Sequence, residues 1–452
     1  MEGAGRSACS QRPAHIFAVR LPVLHERPQN DGAGGIGQAG HRRGPTGLGA
    51  RADDVEHFLR PAHDNSSPRW RSSYRLRGRC RNRRLSQNGE LLEQALNPAL
   101  EAVSAWMVTN GLSLAVHKTE AAVLTRKWSY SLPRLIIGGT NVRISEEIKY
   151  LGVVLDRRLT FNSHIARAAG AAIRTANAIG RIMPNVDGPS AAKRRLLGSV
   201  VCSKLLYAAP VWSGHSLDSE RNRTRLNAPL RRTAIRIVRA YRTVSDEAAL
   251  ALAGVPPADL QARERARVRS IVWEPGATAA DRRSRTAERI RTLEEWARRW
   301  TLTTKAEWTR RVIPDLSRWL GRTVNFQLSF HGSQAMTGHG CFKSFLHKMG
   351  RAADPWCEEC QQAEDTVEHT LLDCPYWSEE RSVLVAAVGD RHLEVGDLTQ
   401  MVCGPALVDL PEDSTRRAKL LKEAQKQSDH FRDFVEKVLG HKEELERARQ
   451  RR

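Results

Sequence analysis

The sequence predicts an α+β fold that is mostly helical and carries a small metal-type knuckle near its C-terminal end. Three observations predict it. Apolar residues recur at helical spacing over long stretches, short β-like runs cluster between residues 120 and 155, and four metal-type donors fall within residues 357–374. At 452 residues with 40% hydrophobic content, the chain can support two or three ordinary cores. Lys and Arg exceed Asp and Glu by 22, a field that attracts polyanions, nucleic acid above all. No apolar run reaches the roughly 18 residues of a membrane span, and Met1 opens no signal-peptide pattern. Eight Cys in so long a chain argue against a disulfide framework. The expectation is a soluble intracellular protein of the nucleus or cytoplasm, with no membrane partner.

In chain order, residues 1–87 come first. The first 88 residues hold sixteen Arg, no Lys and seven acidic residues, with neither helical nor strand periodicity. Disorder is expected there. From Glu90 the pattern changes: Leu91, Leu92, Ala95, Leu96, Leu100, Val103 and Trp106 lie at helical spacing, and Asn110-Gly111 is a stop signal. Four β-like runs follow (120–124, 134–137, 141–144 and 149–155), separated by Gly138-Gly139 and polar turns. Residues 88–160 thus read as a helix with a small antiparallel group.

Residues 161–255 read as a basic helical module, broken at Pro184, Gly188-Pro189 and Pro210. It carries Arg194, Arg195, Arg231, Arg232, Arg236 and Arg239. Residues 256–290 look like a linker that turns helical, because Pro256-Pro257 and Gly276 punctuate an Arg-rich, apolar-poor stretch. The helical section completing 256–330 holds Trp296, Trp300 and Trp319, with Trp308 between them. Helical spacing assigns these tryptophans to a core rather than to base stacking. The metal motif occupies 331–380, and 381–452 ends in a charged helical tail with Leu420, Leu421, Ala424, Phe431, Phe434, Val435, Val438 and Leu439 on one side. Such a stripe docks on a partner or on the chain's own body.

The sharpest chemical signal is Cys357-x2-Cys360-x8-His369-x4-Cys374. Three thiolates and one imidazole suit a closed tetrahedral Zn²⁺ site, which leaves no position for substrate and is therefore structural. Around it, Trp356, Tyr376, Trp377 and Lys348 offer stacking and phosphate contacts to a single strand, or only pack around the metal.

Several stretches together resemble one family. Thr337-Gly338-His339-Gly340-Cys341-Phe342, Cys357-Glu358-Glu359-Cys360, Asp365-Thr366, Glu368-His369-Thr370 and Cys374-Pro375 resemble the C-terminal segment of insect-type LINE (non-LTR retrotransposon) reverse transcriptases. Upstream, Gly111-Leu112-Ser113-Leu114 with Lys118-Thr119-Glu120 resembles the palm motif that follows the catalytic hairpin. Tyr150-Leu151-Gly152 resembles the primer grip, and Leu205-Leu206-Tyr207-Ala208 with Val211-Trp212 the thumb. The resemblance runs from about residue 88 to the C-terminus. It implies a distal palm over 88–160, a thumb over 161–255, the CCHC zinc knuckle, and RNA template and DNA target or primer as partners. It places Lys118 near the incoming triphosphate, Tyr150, Leu151 and Gly152 at the primer, and Arg194, Arg195, Arg231, Arg232, Arg236 and Lys348 against nucleic acid.

The family's chemistry also needs adjacent aspartates at a hairpin tip and a third upstream, holding two Mg²⁺. The hairpin belongs shortly before Glu90, where residues 74–84 contain no carboxylate. Shifted by one base, codons from Arg75 onward can spell Gly-Phe-Ala-Asp-Asp-Val-Ala-Ile-Val-Val, and those of Pro45 through Glu56 can spell the family's substrate-pocket motif. We read this segment as translated out of frame, with the Mg²⁺ ligands lost. Asp53 and Asp54, in Ala52-Asp53-Asp54-Val55, imitate the catalytic tetrapeptide but lack flanking apolar strands and lie too far ahead of Lys118. The leading expectation is a reverse-transcriptase fragment that binds nucleic acid without extending it. The alternatives are a nucleic-acid chaperone working through thumb and knuckle, and an active polymerase using Asp53 and Asp54.

Overall fold

The computed structural model describes residues 15–25, 79–82, 85–86, 89–272 and 280–450. Contacts divide the chain into two units, Met1–His164 and Ile165–Arg452.

In the first unit, helix α1 (Gly89–Thr109) buries Leu92, Leu96, Leu100, Val103 and Met107, the three- and four-residue recurrence that places side chains on one face. Leu91 and Trp106, expected on that stripe, differ: Leu91 is 54% exposed and Trp106 lies at the edge of the core. Gly111 ends the helix at φ +66°, a conformation that costs a side chain about 1 kcal/mol or more. Strands β1 (His15–His25), β2 (Arg79–Asn82), β3 (Leu85–Ser86), β4 (Leu112–Leu114) and β5 (Glu120–Leu124) form one antiparallel sheet. Val19 pairs with both Asn82 and Ala121, so β1 lies between β2 and β5.

The expectation of disorder over 1–87 therefore fails at these three stretches. His15–His25 alone is a run of β-formers (Ile16, Phe17, Val19, Leu21, Val23), and it finds an open edge on β5. The rest of the out-of-frame reading, with Asp53 and Asp54, lies outside the described residues.

Two hairpins complete this unit. β6 (Ile136–Ile137) and β7 (Thr140–Asn141) turn through Gly138-Gly139, both at positive φ. Asn97 of α1 staples this hairpin, donating to Arg134 O (3.0 Å) and accepting from Ile136 N (3.0 Å). β8 (Glu147–Tyr150) and β9 (Val153–Asp156) are joined by Leu151 (φ +45°) and Gly152 (φ +86°), the doubly left-handed turn that matches strand twist.

The second unit is helical. α2 (Asn162–Gly180), α3 (Ala191–Leu205), α4 (Ala209–Trp212), α5 (Glu220–Val238) and α6 (Asp246–Ala253) follow the breaks expected at Pro184 and Gly188-Pro189. Pro210 sits inside the first turn of α4, where its missing N–H costs nothing. At Gly198, α3 meets α5 so closely that a Cβ would lie 2.8 Å from Ile237 Cδ1.

The stretch 256–290, expected as a linker that turns helical, is helical from its start: α7 (Ala258–Val272) and α8 (Ala280–Leu302), with 273–279 outside the described residues. Asp259–Arg299 (2.8 Å), Glu264–Arg289 (3.2 Å) and Arg267–Glu288 run between them, an order that makes the pair antiparallel. Each acid neutralises an arginine on the other helix, so a stretch that reads as repulsive in isolation becomes a stitched seam. Trp296, Trp300 and Trp319 are buried, the last two donating Nε1–H to Ile313 O and Ala251 O. Trp308 is half-buried and donates to Ala335 O. Core packing is what all four do.

α9 (Glu307–Val312), α10 (Leu316–Leu320), α11 (Phe330–Thr337), α12 (Lys343–Lys348), α13 (Ser378–Ala387) and α14 (Val395–Cys403) lead to the long α15 (Ser414–Gln450). Phe431, Phe434, Val435, Val438 and Leu439 of α15 are buried against α11, α13 and α14. The tail docks on its own body through its second half, while Leu420 is 39% exposed. His331 of α11 sits between Glu436 (2.7 Å) and Glu443 (2.8 Å) of α15. The hydrogen bond to Glu436 raises its pKa; burial opposes this and Glu443 reinforces it. A raised folded-state pKa stabilises fully below the unfolded value of about 6.5 and fades as pH climbs through the folded value. His331→Gln is therefore expected to cost more stability at pH 6 than at pH 9 in urea titrations; equal losses would remove the assignment.

Candidate metal centre

The centre begins at the C-terminus of α11. Gly338 ends that helix at φ +70°. A Cβ on Gly340 would fall 1.9 Å from Gln334 Oε1, which accepts from Cys341 N (3.1 Å), so any side chain there must push Gln334 off that hydrogen bond. α12 then starts on Asp365, whose Oδ2 accepts from Lys343 N (2.7 Å). A tight turn presents the first two donors: Cys357 N donates to Ala363 O, Gln361 N to Cys357 O, and Gln362 N to Cys360 Sγ (3.4 Å). His369 opens a π-type turn over His369–Asp373, and Cys374 N closes it on His369 O (2.7 Å). Buried Arg381 of α13 clamps that turn, donating to Leu371 O (3.0 Å) and Cys374 O (2.8 Å).

The donor atoms of Cys357, Cys360, His369 and Cys374 all lie within 4.8 Å of one another. Cys357 and Cys374 sulfurs are 3.9 Å apart, and Cys360 Sγ lies 3.3 Å from His369 Nε2. With metal–sulfur bonds of about 2.3 Å and metal–nitrogen bonds of about 2.0 Å, a tetrahedron has S···S edges of roughly 3.8 Å and S···N edges of roughly 3.5 Å. The residues fit a metal ion. Burial pushes the Cys357 and Cys374 thiols up, and burial lowers the His369 pKa, keeping the imidazole neutral as a ligand must be.

Behind the donors sits a buried charge cluster. Lys442 of α15, 4% exposed, contacts both Glu359 carboxylate oxygens (3.0 Å each) and Asp365 Oδ1 (2.9 Å). Burial alone would depress the lysine, but Asp365 and Glu359 more than reverse it and hold its pKa above the usual lysine range. Asp365 also accepts from Thr370 Oγ1 (2.8 Å), so one carboxylate ties α12, the His369 turn and α15 together. Lys442 and Arg381 belong to no motif in the sequence, and Glu359 enters only as a letter of the Cys357–Cys360 motif, with no role attached. The signal for Lys442 was a cation continuing the apolar stripe, four residues after Val438.

Of the flanking candidates, Trp356 (53% exposed) and Tyr376 (51%) face solvent, as does Lys348. Trp377 is 3% exposed and packs edge-on against His441, which removes it from any stacking role.

The thumb arginines divide. Arg194, expected against nucleic acid, is fully buried and donates to the carbonyls of Pro189 (2.9 Å), Arg236 (2.7 Å), Asp187 (2.8 Å) and Pro184. Burial pulls its pKa down to about 10. Its role is to gather the 184–189 loop, because a guanidinium is the one side chain able to satisfy four carbonyls at once. Arg194→Ala is expected to cost about 3 kcal/mol or more in urea unfolding, given the worth of charged hydrogen bonds. Arg231 is likewise committed, to Asp246 (2.6 Å) and to Arg242 O and Val244 O. Arg236 is half-buried on Asn185 (3.3 Å), while Arg195 and Arg232 are exposed. Lys118 is exposed on a single 3₁₀ turn before β5, and Tyr150, Leu151 and Gly152 form the tip of the β8–β9 hairpin. No helix among the described residues is long and apolar enough to cross a membrane.

Comparison with known proteins gives consistent relatives. The Pol polyprotein of type-1 retrotransposable element R1 2 of Nasonia vitripennis is 26% identical over 312 residues, 65% of this chain and 75% of the relative. That of element R1 of Bradysia coprophila is 25% identical over 310 residues, 65% of this chain and 30% of the relative, so the chain spans less than a third of that protein. Element R1 3 of Nasonia vitripennis gives 27% over 333 residues, 68% of this chain and 85% of the relative. No family model and no solved structure matches the chain. The motif resemblance and the extended similarity agree: this chain is similar over about two thirds of its length to the Pol polyproteins of type-1 retrotransposable elements of the R1 kind.

Proposed function

We propose that the chain is the distal palm, thumb and zinc knuckle of a retrotransposon RNA-directed DNA polymerase, and that it binds RNA template and DNA primer or target without extending the primer. The observation that carries this reading is the convergence of Cys357, Cys360, His369 and Cys374 in a chain homologous to Pol polyproteins. Three sulfurs and one imidazole favour Zn²⁺ over hard cations, and a closed donor set makes the metal a structural brace rather than a Lewis acid. The β8–β9 hairpin with its two-residue tip suits a primer-contacting element, and exposed Lys118 lies on the turn leading into β5. The loss of extension follows from the frame-shifted segment: residues 74–84 carry no carboxylate to hold Mg²⁺. Lys118, Tyr150, Leu151 and Gly152 would then shape a strand but complete no reaction.

The test is one preparation of full chain measured in three ways. We expect one zinc per chain by elemental analysis and binding to a primed RNA template in a gel-shift assay, with no product on adding Mg²⁺ and deoxynucleotides. Primer extension that disappears in Asp53→Ala would restore the active-polymerase reading and overturn the loss of extension.

A further inference from the structure

Among the described residues, one cleft of the second unit collects positive charge without answering it. It opens where the start of α3, the end of α6 and the segment after α10 come together, has a volume of about 600 Å³, and is lined by Arg195, Gly254, Leu320, Arg322, Thr323 and Asn325 among others. None of its lining residues is acidic. Arg322 is fixed in place: its guanidinium lies 4.4 Å above the Trp319 ring and donates once, to Trp319 O (3.0 Å). Four of its five N–H donors remain for a ligand. Arg195 is exposed on α3, and no ion pair joins it to a described residue. Burial lowers the Arg322 pKa and the Arg195 charge lowers it further, so the two cations act on one another across the cleft.

We propose that this cleft is a phosphodiester-binding site, in which Arg195 and Arg322 hold the backbone of a single nucleic-acid strand. Two guanidinium groups facing one space repel until an anion lies between them, and the planar fork of arginine matches phosphate oxygens in pairs. The volume falls in the range of about 300–1,000 Å³ typical of ligand sites, more than a lone phosphate fills. Leu320 and Val324 supply an apolar wall for sugar, and Asn325 adds an amide. Compared with Arg194, its buried chain neighbour, Arg195 shows how two adjacent arginines take opposite duties. The assignment rests on the nucleic-acid reading above and deepens it by naming where a strand is gripped.

The experiment is fluorescence anisotropy of a labelled single-stranded RNA oligonucleotide with the full chain over a range of KCl. Arg195→Gln and Arg322→Gln are each expected to weaken binding about tenfold and to reduce the salt slope by about one, as loss of one phosphate contact does. Arg221→Gln, an exposed arginine of α5 outside the cleft, is the matched control, expected to change affinity less than about twofold. Thermal melts confirm folding, and Arg195→Gln, on an exposed side chain, keeps the test meaningful if Arg322→Gln is destabilised. If the unaltered chain binds and Arg195→Gln matches the control, the cleft assignment falls while the nucleic-acid reading stands. No binding by the unaltered chain overturns both. Binding of inorganic triphosphate more tightly than the RNA, and its loss in Arg195→Gln, would assign the cleft to a free polyphosphate and overturn the strand.

Discussion

Cys374→Ser is expected to release the metal and to take the C-terminal fold with it. The thiol is fully buried, its backbone carbonyl is held by Arg381, and its sulfur is one vertex of a four-donor group. Structural zinc contributes roughly 10–16 kcal/mol of apparent binding energy at neutral pH, far more than a domain's net stability. Removing one vertex should weaken zinc binding by more than the roughly 100-fold typical of altering a ligand's supporting partner. Elemental analysis should show sub-stoichiometric zinc, and the variant should melt well below the parent chain without any chelator. Retention of one tightly held zinc would remove the four-donor assignment. The same chemistry sets a pH dependence. Burial pushes the metal-free Cys357 and Cys374 thiols up, so binding zinc displaces protons, and affinity measured against a chromogenic chelator should rise from pH 6 to pH 8.

Lys442→Met is expected to destabilise the second unit by about 3–5 kcal/mol, the usual cost of stranding buried carboxylates. Glu359 and Asp365 side chains are 6% and 3% exposed, and the ammonium is within 3.0 Å of both. Methionine fills the stem's volume but leaves two buried acids facing each other without their cation. Adding Glu359→Gln and Asp365→Asn should return much of the loss, because amides and a thioether need no counter-charge. Urea titration at pH 7 decides it. A single variant that loses less than about 1 kcal/mol would mean that water or rearrangement already screens the cluster.

The parts legible in the sequence are those decided locally. The α1 face and the Cys357–Cys374 spacing follow from residues a few positions apart, and both appear in the structure, whereas the run 149–155, expected as one strand, is a hairpin that turns where Leu151 and Gly152 take positive φ. What escaped depends on partners distant in sequence. The Arg-rich stretch after Pro257 looked like a linker because Glu288 and Arg299, which answer Arg267 and Asp259, lie 21 and 40 residues further on. Arg194 and Arg195 are indistinguishable as letters; which one is buried depends on where the carbonyls of the 184–189 loop gather. His15–His25 is different: Phe17, Val19, Leu21 and Val23 alternate at strand spacing, a local signal hidden within an Arg- and Gly-rich segment, and pairing with Glu120–Leu124 completes it.

The distance along the chain between Lys442 and its acids also orders events during synthesis. Asp365 and Glu359 leave the ribosome 77 and 83 residues before the cation that neutralises them. Until α15 emerges and folds back, the knuckle carries two acids with no lysine to balance them, and the apolar faces of α11, α13 and α14 stand open. Metal capture by the four donors can begin on the nascent chain; consolidation of the domain must wait for the last helix.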